Sequence, residues 1–323
     1  MSTKHDLHVI FGTGPAGSTL AEQLVAAGKQ VRAVNRSGKA KLPPQVEVVA
    51  ADILDPSAVR EAVAGASVIY HCANVPYPQQ VEIMPRFQAH IIEGAAHAAA
   101  KLVVLDTLYV YGQTRGMPMR ESTPYAATTR KGRIRAELVE AYLAAHRAGK
   151  VQVTLGRAAD FFGPRVLNSS LGDRVFPAAL TGKPVQLLGN IDLPHSYSYI
   201  GDVARGLAIL GEHPAALGRA WLLPVTPIVT QRALAQLIGQ QIGRPVRIQA
   251  LPKFAIQAFG LFDSFMREFV EMFYQYTESQ IVDASTFERT FQVQATPLET
   301  ALQATIQWYR QQDQPLQAAP QAA

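Results

Sequence analysis

The sequence predicts an α/β fold, a doubly wound parallel sheet with a smaller C-terminal lid domain, and three observations predict it. Short apolar runs of strand character alternate with helix-length segments through the first half of the chain. A glycine-rich turn joins the first run to the first helix. After Pro164 the alternation stops, and short segments rich in Gly and Pro follow.

In order, the run Leu7, His8, Val9, Ile10, Phe11 is a buried strand, and a helix over 15–27 closes at Gly28. Strands are expected at 30–35, 46–50 and 67–71, with Asp55 or Ser57 capping a helix after the third. A helix over 81–100 leads to a strand at 102–105. A second long helix covers 129–148, with Gly149 as its stop, before a sixth strand at 151–155. Further on, 196–200 returns to the core, 221–223 is a late strand, 230–241 a helix and 246–249 a strand. An aromatic helix over 254–273 follows. The expected organisation is an N-terminal domain over 1–164 with a return at 195–225, a lid domain over 165–194 and 226–312, and a disordered tail over 313–323 rich in Gln, Ala and Pro.

The 323 residues are 48% hydrophobic and 17% charged, enough to bury a substantial core. A formal net charge of +5 over that length attracts anions weakly and makes no case for nucleic acid. Cys72 is the one cysteine, and the eight histidines show no metal-binding spacing. No metal site and a reducing, cytoplasmic setting are therefore expected. Residues 1–5 are polar and lead straight into a strand, which predicts no signal peptide. The 254–273 helix carries Asp263, Arg267, Glu268 and Glu271, so no membrane span is expected. Its Phe254, Phe259, Phe262, Phe265, Phe269 and Phe273 read as lid core.

Gly12-Thr13-Gly14-Pro15-Ala16-Gly17 fits G-x-G-x-x-G between a strand and a helix, the context that makes a weak pattern a dinucleotide signal of the Rossmann type. The first Gly makes the turn and the second lets the backbone approach a pyrophosphate. The third lets the helix pack on the strand, and the helix N-terminus faces the phosphate charge. Pro15 costs no hydrogen bond at that position. The second strand ends in Asn35 and Arg36, with Lys39 nearby, where NAD-binding folds place an acid for the ribose hydroxyls. A carboxylate there would repel a 2′-phosphate, whereas Arg36 pairs with one, so the expected cofactor is NADP(H). Asp52 and Ile53 follow the third strand, placed to meet adenine. Ala73 and Asn74 follow the fourth, where small residues let a cofactor lie close.

Several segments together resemble the short-chain dehydrogenase/reductase superfamily, in its extended branch of epimerase, dehydratase and reductase relatives. They are 51–55 (ADILD), 71–74 (HCAN), 105–112 (LDTLYVYG), 156–164 (GRAADFFGP), 199–204 (YIGDVA) and 271–275 (EMFYQ), and the likeness covers nearly the whole chain. The usual glycine motif of that branch is G-x-x-G-x-x-G; its first Gly falls on Phe11 here.

The resemblance implies a Ser/Thr plus Tyr-x-x-x-Lys proton relay, with the Lys on the nicotinamide ribose and the Tyr on the substrate oxygen. Thr107 stands at the Ser/Thr position. No tyrosine in this chain has a lysine four residues later. With Glu137 in register on the acid after the motif, Thr129 replaces the Tyr and Arg133 the Lys. The chain thus resembles an atypical subgroup that keeps the fold and lacks the Tyr-x-x-x-Lys motif.

Thr107 would orient the substrate oxygen, and Tyr125 or a water would supply the proton. Lys131 and Arg133 would hold ribose, phosphate or a substrate anion. Asp160 and His195 are the candidate substrate contacts. The expected activity is an NADP(H)-dependent carbonyl or alkene reductase acting on a small organic substrate. Two readings stay open beside it: a cofactor-binding sensor without chemistry, and a sugar-nucleotide epimerase or dehydratase, against which Arg36 and the absent Tyr count. A homodimer through the two long helices would be ordinary for this family.

Overall fold

The computed structural model describes residues 6–312, so the tail expected at 313–323 lies outside the described residues. The first half runs β1 (Leu7–Phe11), α1 (Pro15–Ala26), β2 (Gln30–Asn35), β3 (Val46–Ala50), α2 (Pro56–Ala62), β4 (Ala66–His71), α3 (Gln80–His97), β5 (Lys101–Thr107), α4 (Arg130–Arg147) and β6 (Val153–Ala158). There follow β7 (Asp160–Phe162), α5 (Phe176–Thr181), β8 (Val185–Leu188), β9 (Pro194–His195), β10 (Tyr197–Tyr199), α6 (Ile200–Glu212), β11 (Ala220–Leu222) and β12 (Val229–Thr230). The chain ends with α7 (Gln231–Ile242), β13 (Ile248–Leu251), α8 (Lys253–Phe259), α9 (Ser264–Phe269), α10 (Ser285–Phe291) and α11 (Leu298–Gln312).

Seven parallel strands form one sheet in the order β11-β6-β5-β4-β1-β2-β3. Side chains alternate along each strand, so one strand feeds two cores. Val9 and Phe11 join Val59, Ile91 and Leu138 from α2, α3 and α4. Ile10, between them, joins Leu20 of α1 and Val203 and Leu207 of α6. This double-sided burial is why the strands read as nearly continuous apolar runs. Since β1 sits between β2 and β4, the chain leaves it in opposite directions, and a crevice opens at the carboxyl ends of β1 and β4. A further core unites Phe176 of α5, Leu187 of β8, Leu234 of α7 and Leu302 of α11 beside the sheet.

Two segments depart from the sequence expectation. The sixth strand lies at Val153–Ala158 and not 151–155. Its apolar run ends at Leu155, but the strand continues through Arg157 because that charge meets Asp106 on β5 inside the sheet, Nε to Oδ2 at 2.7 Å. The segment at 196–200 does return to the core, with Tyr197 and Ile200 buried, but outside the main sheet: β10 pairs with β7, and the strand that returns to the sheet is β11.

The aromatic helix over 254–273 is three pieces, α8, α9 and a 3-10 turn over Val270–Tyr276. Asp263 divides it: its carboxylate accepts from the Phe265 and Met266 N–H groups and starts a new helix. Four of its phenylalanines are not core, with Phe254 72%, Phe259 52%, Phe262 94% and Phe265 42% exposed. Among the described residues, no helix is long and apolar enough to cross a membrane.

Candidate active-site cleft

A cleft of about 1030 Å³ follows the carboxyl ends of the sheet from β2 to β6 and continues under the lid segments. At its floor, Gly12 has φ +99°, and a Cβ there would lie 2.7 Å from the Ala73 backbone. A Cβ on Gly17 would lie 1.9 Å from the Gly12 carbonyl oxygen. These two glycines are demanded by the turn and by helix packing. Gly14 is different: a Cβ there meets nothing within 4 Å and would project into free space. Helix α1 starts at Pro15, its N-cap Gly14 offers no capping side chain, and its first turn carries no acid. The positive end of the helix is therefore left for a ligand anion. Thr13, Pro15 and Ala16 complete this wall. The set fits the pyrophosphate of a dinucleotide.

Asn35 turns out to be the organiser of the next loop. Its Nδ2 donates to Thr13 Oγ1 (2.8 Å) and the Lys39 carbonyl (2.9 Å), and its Oδ1 accepts from the Ser37 and Gly38 N–H groups. This leaves Arg36 exposed on the cleft wall, with no ion-pair partner among the described residues. Asp52 accepts from the Leu54 N–H at 2.9 Å and also lines the cleft, as do Ile53, Ala73 and Asn74.

At the other end, Thr107 closes β5 with a buried hydroxyl that has no hydrogen-bond partner. Asp160 lines the cleft and accepts from Tyr276 (2.8 Å) and Ser170 (3.1 Å). His195 Nε2 approaches the same oxygen at 3.5 Å, so Asp160 and His195 do meet. His195 stands behind Asp160, stacked between the rings of Tyr197 and Tyr276, and does not reach the cleft wall. Burial alone would raise the Asp160 pKa; His195, Tyr276 and Ser170 outweigh it and hold it below the usual 3.8.

The remaining expected groups lie elsewhere. The Tyr125 hydroxyl accepts from Arg157 Nη2 at 3.0 Å, its ring packs on Tyr111, and it does not line the cleft. Thr129 caps α4, accepting from the Gly132 N–H at 3.1 Å while donating to Met272 Sδ. Lys131 is fully buried, bound to Glu268 and, at 3.3 Å, to Glu271, with its ammonium over the Tyr77 ring. It has no free donor direction to spare for a substrate anion. Arg133 is exposed on the far face of α4 and lies outside the cleft.

Two residues outside the expected catalytic set stand on the cleft wall, Arg135 being the one member of the basic run 130–135 to reach it. Arg135, 7% exposed, and Tyr109 both line the cleft. Arg135 reaches Asn74 Oδ1 at 3.4 Å, its Nε has no partner, and no carboxylate pairs with it among the described residues. The signal for Arg135 was periodicity. It falls on the stripe Lys131, Arg135, Leu138, Val139, Tyr142, which is the buried face of α4.

His71 ends β4 beside this group, and Cys72 follows it. Burial pushes the Cys72 thiol up to about 12, so it is no nucleophile at neutral pH. His71 is buried with both ring nitrogens unpartnered, and a small cavity joins it to Asp106, Arg135 and Tyr142. Burial and then the Arg135 charge lower its pKa from 6.5 to about 4. Between those two values the unfolded chain binds a proton that the folded one refuses. Stability is thus full above the higher value, falls with pH and levels off below the lower, a loss of about 3 kcal/mol. Urea unfolding across that range should show the loss, and His71→Phe should flatten it.

The profile of the NAD dependent epimerase/dehydratase family matches residues 9–222, more than half of the chain. The chain belongs to that family. The chain is 26% identical over 212 residues to a UDP-N-acetyl-alpha-D-glucosaminuronate decarboxylase of Bacillus cytotoxicus, covering 59% of this chain and 66% of that protein. It is 27% identical over 218 residues to the decarboxylating sterol-4-alpha-carboxylate 3-dehydrogenase of Bos taurus, covering 64% and 60%. The match thus spans 66% and 60% of these two relatives, and 31% of a third, an uncharacterized protein of Sinorhizobium fredii that is 28% identical over 121 residues. A UDP-glucuronic acid 4-epimerase from Bacillus cereus, solved in complex with NAD, superposes with a TM-score of 0.77 at 16% identity, over 95% of this chain and 100% of that one. At that identity the likeness is one of fold.

Proposed function

We propose that this family member is an NADP(H)-dependent oxidoreductase that reduces a carbonyl or alkene in a small organic substrate. The observation that carries the reading is Arg36, held unpaired on the wall of a dinucleotide crevice by the Asn35 network. The NAD bound by the Bacillus cereus epimerase supports a pyridine nucleotide in this crevice; the extra phosphate rests on Arg36. When bound, the reduced cofactor supplies a hydride. The loop from Gly12 to Gly17 and the start of α1 hold its phosphates. Thr107 presents a hydroxyl to the substrate oxygen, and Asp160 presents an acceptor to a substrate donor. Met266, Phe265 and Phe269 wall the lid side of the cleft.

Epimerase or dehydratase chemistry is disfavoured because α4 has no free hydroxyl and amine to shuttle protons: Thr129 is the helix cap and Lys131 is tied to two carboxylates. The sensor reading is disfavoured because Thr107 and Arg135 are polar, buried and unsatisfied at the reacting end of the cleft.

Titration with NADPH and NADH, read by thermal shift and nicotinamide fluorescence, tests the reading. NADPH is expected to bind more tightly. Arg36→Glu should weaken NADPH by roughly 100-fold, about 2.7 kcal/mol, and leave NADH within about threefold. Preference of the unaltered protein for NADH would overturn it and revive the epimerase alternative.

A further inference from the structure

Reduction of a carbonyl needs a proton donor beside the carbon that receives hydride. The polar groups at the reacting end of the cleft can be taken in turn. Tyr276 and Ser170 spend their hydroxyls on Asp160, and Asp160 is an ionised acceptor. Thr107 can hydrogen-bond, but an aliphatic hydroxyl is far too weak an acid to surrender its proton. Tyr125 is held by Arg157 outside the cleft. Tyr77 lies on the cleft wall, but its hydroxyl is turned toward that of Tyr109 and its ring is covered by the Lys131 ammonium.

Tyr109 is left. It sits on the 3-10 segment Leu108–Tyr111 that caps β5, two residues beyond Thr107, and lines the cleft. Groups face it from every side: Arg135 from α4, Asp160 from β7, Tyr77 from the loop after β4, and Glu271, Tyr274 and Tyr276 from the turn over Val270–Tyr276. Arg135 is the unusual one. A guanidinium buried without a carboxylate is unfavourable unless a negative charge forms beside it. A phenol that gives up its proton forms that charge.

We propose that Tyr109 is the proton donor to the substrate's carbonyl oxygen and that Arg135 is the cation that stabilises the phenolate left behind, with Thr107 as the second donor to that oxygen. This rests on the oxidoreductase reading above. In the step, the carbonyl carbon gains the hydride of the reduced nicotinamide, which is thereby oxidised, and the C=O π pair moves onto oxygen. That oxygen takes the Tyr109 proton, and solvent in the cleft later restores it to the phenolate. Burial and Asp160 raise the Tyr109 pKa above the usual 10 by more than Tyr77 and Arg135 lower it. At neutral pH the phenol is therefore protonated, which suits reduction and not oxidation.

The test uses the full chain with benzil, an apolar diketone, as probe. Tyrosine labelled at Cζ reports hydrogen bonding by NMR without turnover, the Tyr109 signal being assigned by its loss in Tyr109→Phe. With oxidised cofactor present, benzil should shift that signal. With NADPH, Tyr109→Phe and Arg135→Gln should each lower turnover by roughly 100-fold, and Arg135→Lys should recover part of the loss. NADPH binding should be unchanged in Tyr109→Phe. An unmoved Tyr109 signal, or turnover retained in Tyr109→Phe, overturns the proposal while the cofactor reading stands. Failure of the unaltered protein to bind either cofactor overturns both.

Discussion

Arg157→Met is expected to cost about 3–5 kcal/mol of folding stability, measured as the loss in urea unfolding free energy at neutral pH. Arg157 is 1% exposed, and Asp106, its partner at 2.7 Å, is 4% exposed. Its other nitrogens donate to the Tyr111 hydroxyl at 2.7 Å and the Tyr125 hydroxyl at 3.0 Å. Removing the guanidinium strands a carboxylate between two central strands and leaves two phenols without their donor. The double change Arg157→Met with Asp106→Leu should recover at least half of the loss, because no unpaired charge is then left between β5 and β6. A single-variant cost below about 1 kcal/mol would mean that water reaches Asp106 and that the pair is not what tolerates a charged residue in β6. The same geometry explains why Tyr125 is unavailable for chemistry: it is the third arm of a buried anchor that ties the loop before α4 to the sheet.

That anchor also marks where the sequence was legible. The strands from β1 to β5 could be read almost to the residue, because each is a short Val-rich or apolar run bounded by turn residues; β1, β4 and β5 are buried on both faces, whereas β2 and the edge strand β3 are only partly buried. The glycine loop was legible for the same reason of local necessity, since Gly12 and Gly17 have no room for any other side chain. β6 was misplaced because Arg157 hides a strand residue behind a charge whose partner lies 51 positions away.

The reacting end was harder to read. Register against a family motif pointed to Thr129 and Arg133, but which face of α4 turns inward is decided by packing. The stripe through Leu138, Val139 and Tyr142 carries Arg135 inward and Arg133 out. Lys131 lies on that stripe too, yet Glu268 and Glu271, far along the chain, neutralise it. Tyr109 could not have been chosen without knowing that Tyr125 and Tyr276 were already engaged. The aromatic lid failed for a local reason that was present in the sequence. Asp263 is an N-cap residue in the middle of an apolar stretch, and it ends one helix by starting another.

The glycine loop allows its structural and ligand-binding duties to be separated by experiment. Gly17→Ala should destabilise the fold severely, by about 3 kcal/mol or more, since its methyl would lie 1.9 Å from the Gly12 carbonyl oxygen and 3.3 Å from Ile10 Cγ2. The loop cannot yield: the Gly12 N–H is bonded to the Val34 carbonyl at 2.9 Å, and Gly12 is pressed against the Ala73 backbone. Gly14→Ala should behave in the opposite way. Gly14 has φ −73°, which any residue adopts, and its methyl would meet nothing. The lost chain entropy of glycine and the poorer capping by alanine nearly cancel, so stability should stay within about 1 kcal/mol. Yet that methyl would fill the space over the N-terminus of α1, and NADPH binding should weaken by at least roughly tenfold. Thermal melts of both variants, followed by NADPH titration of Gly14→Ala, check the pair. A Gly14→Ala protein that melts normally and binds NADPH normally would mean that the pyrophosphate does not rest on α1, and the crevice would then need another reading of its open floor.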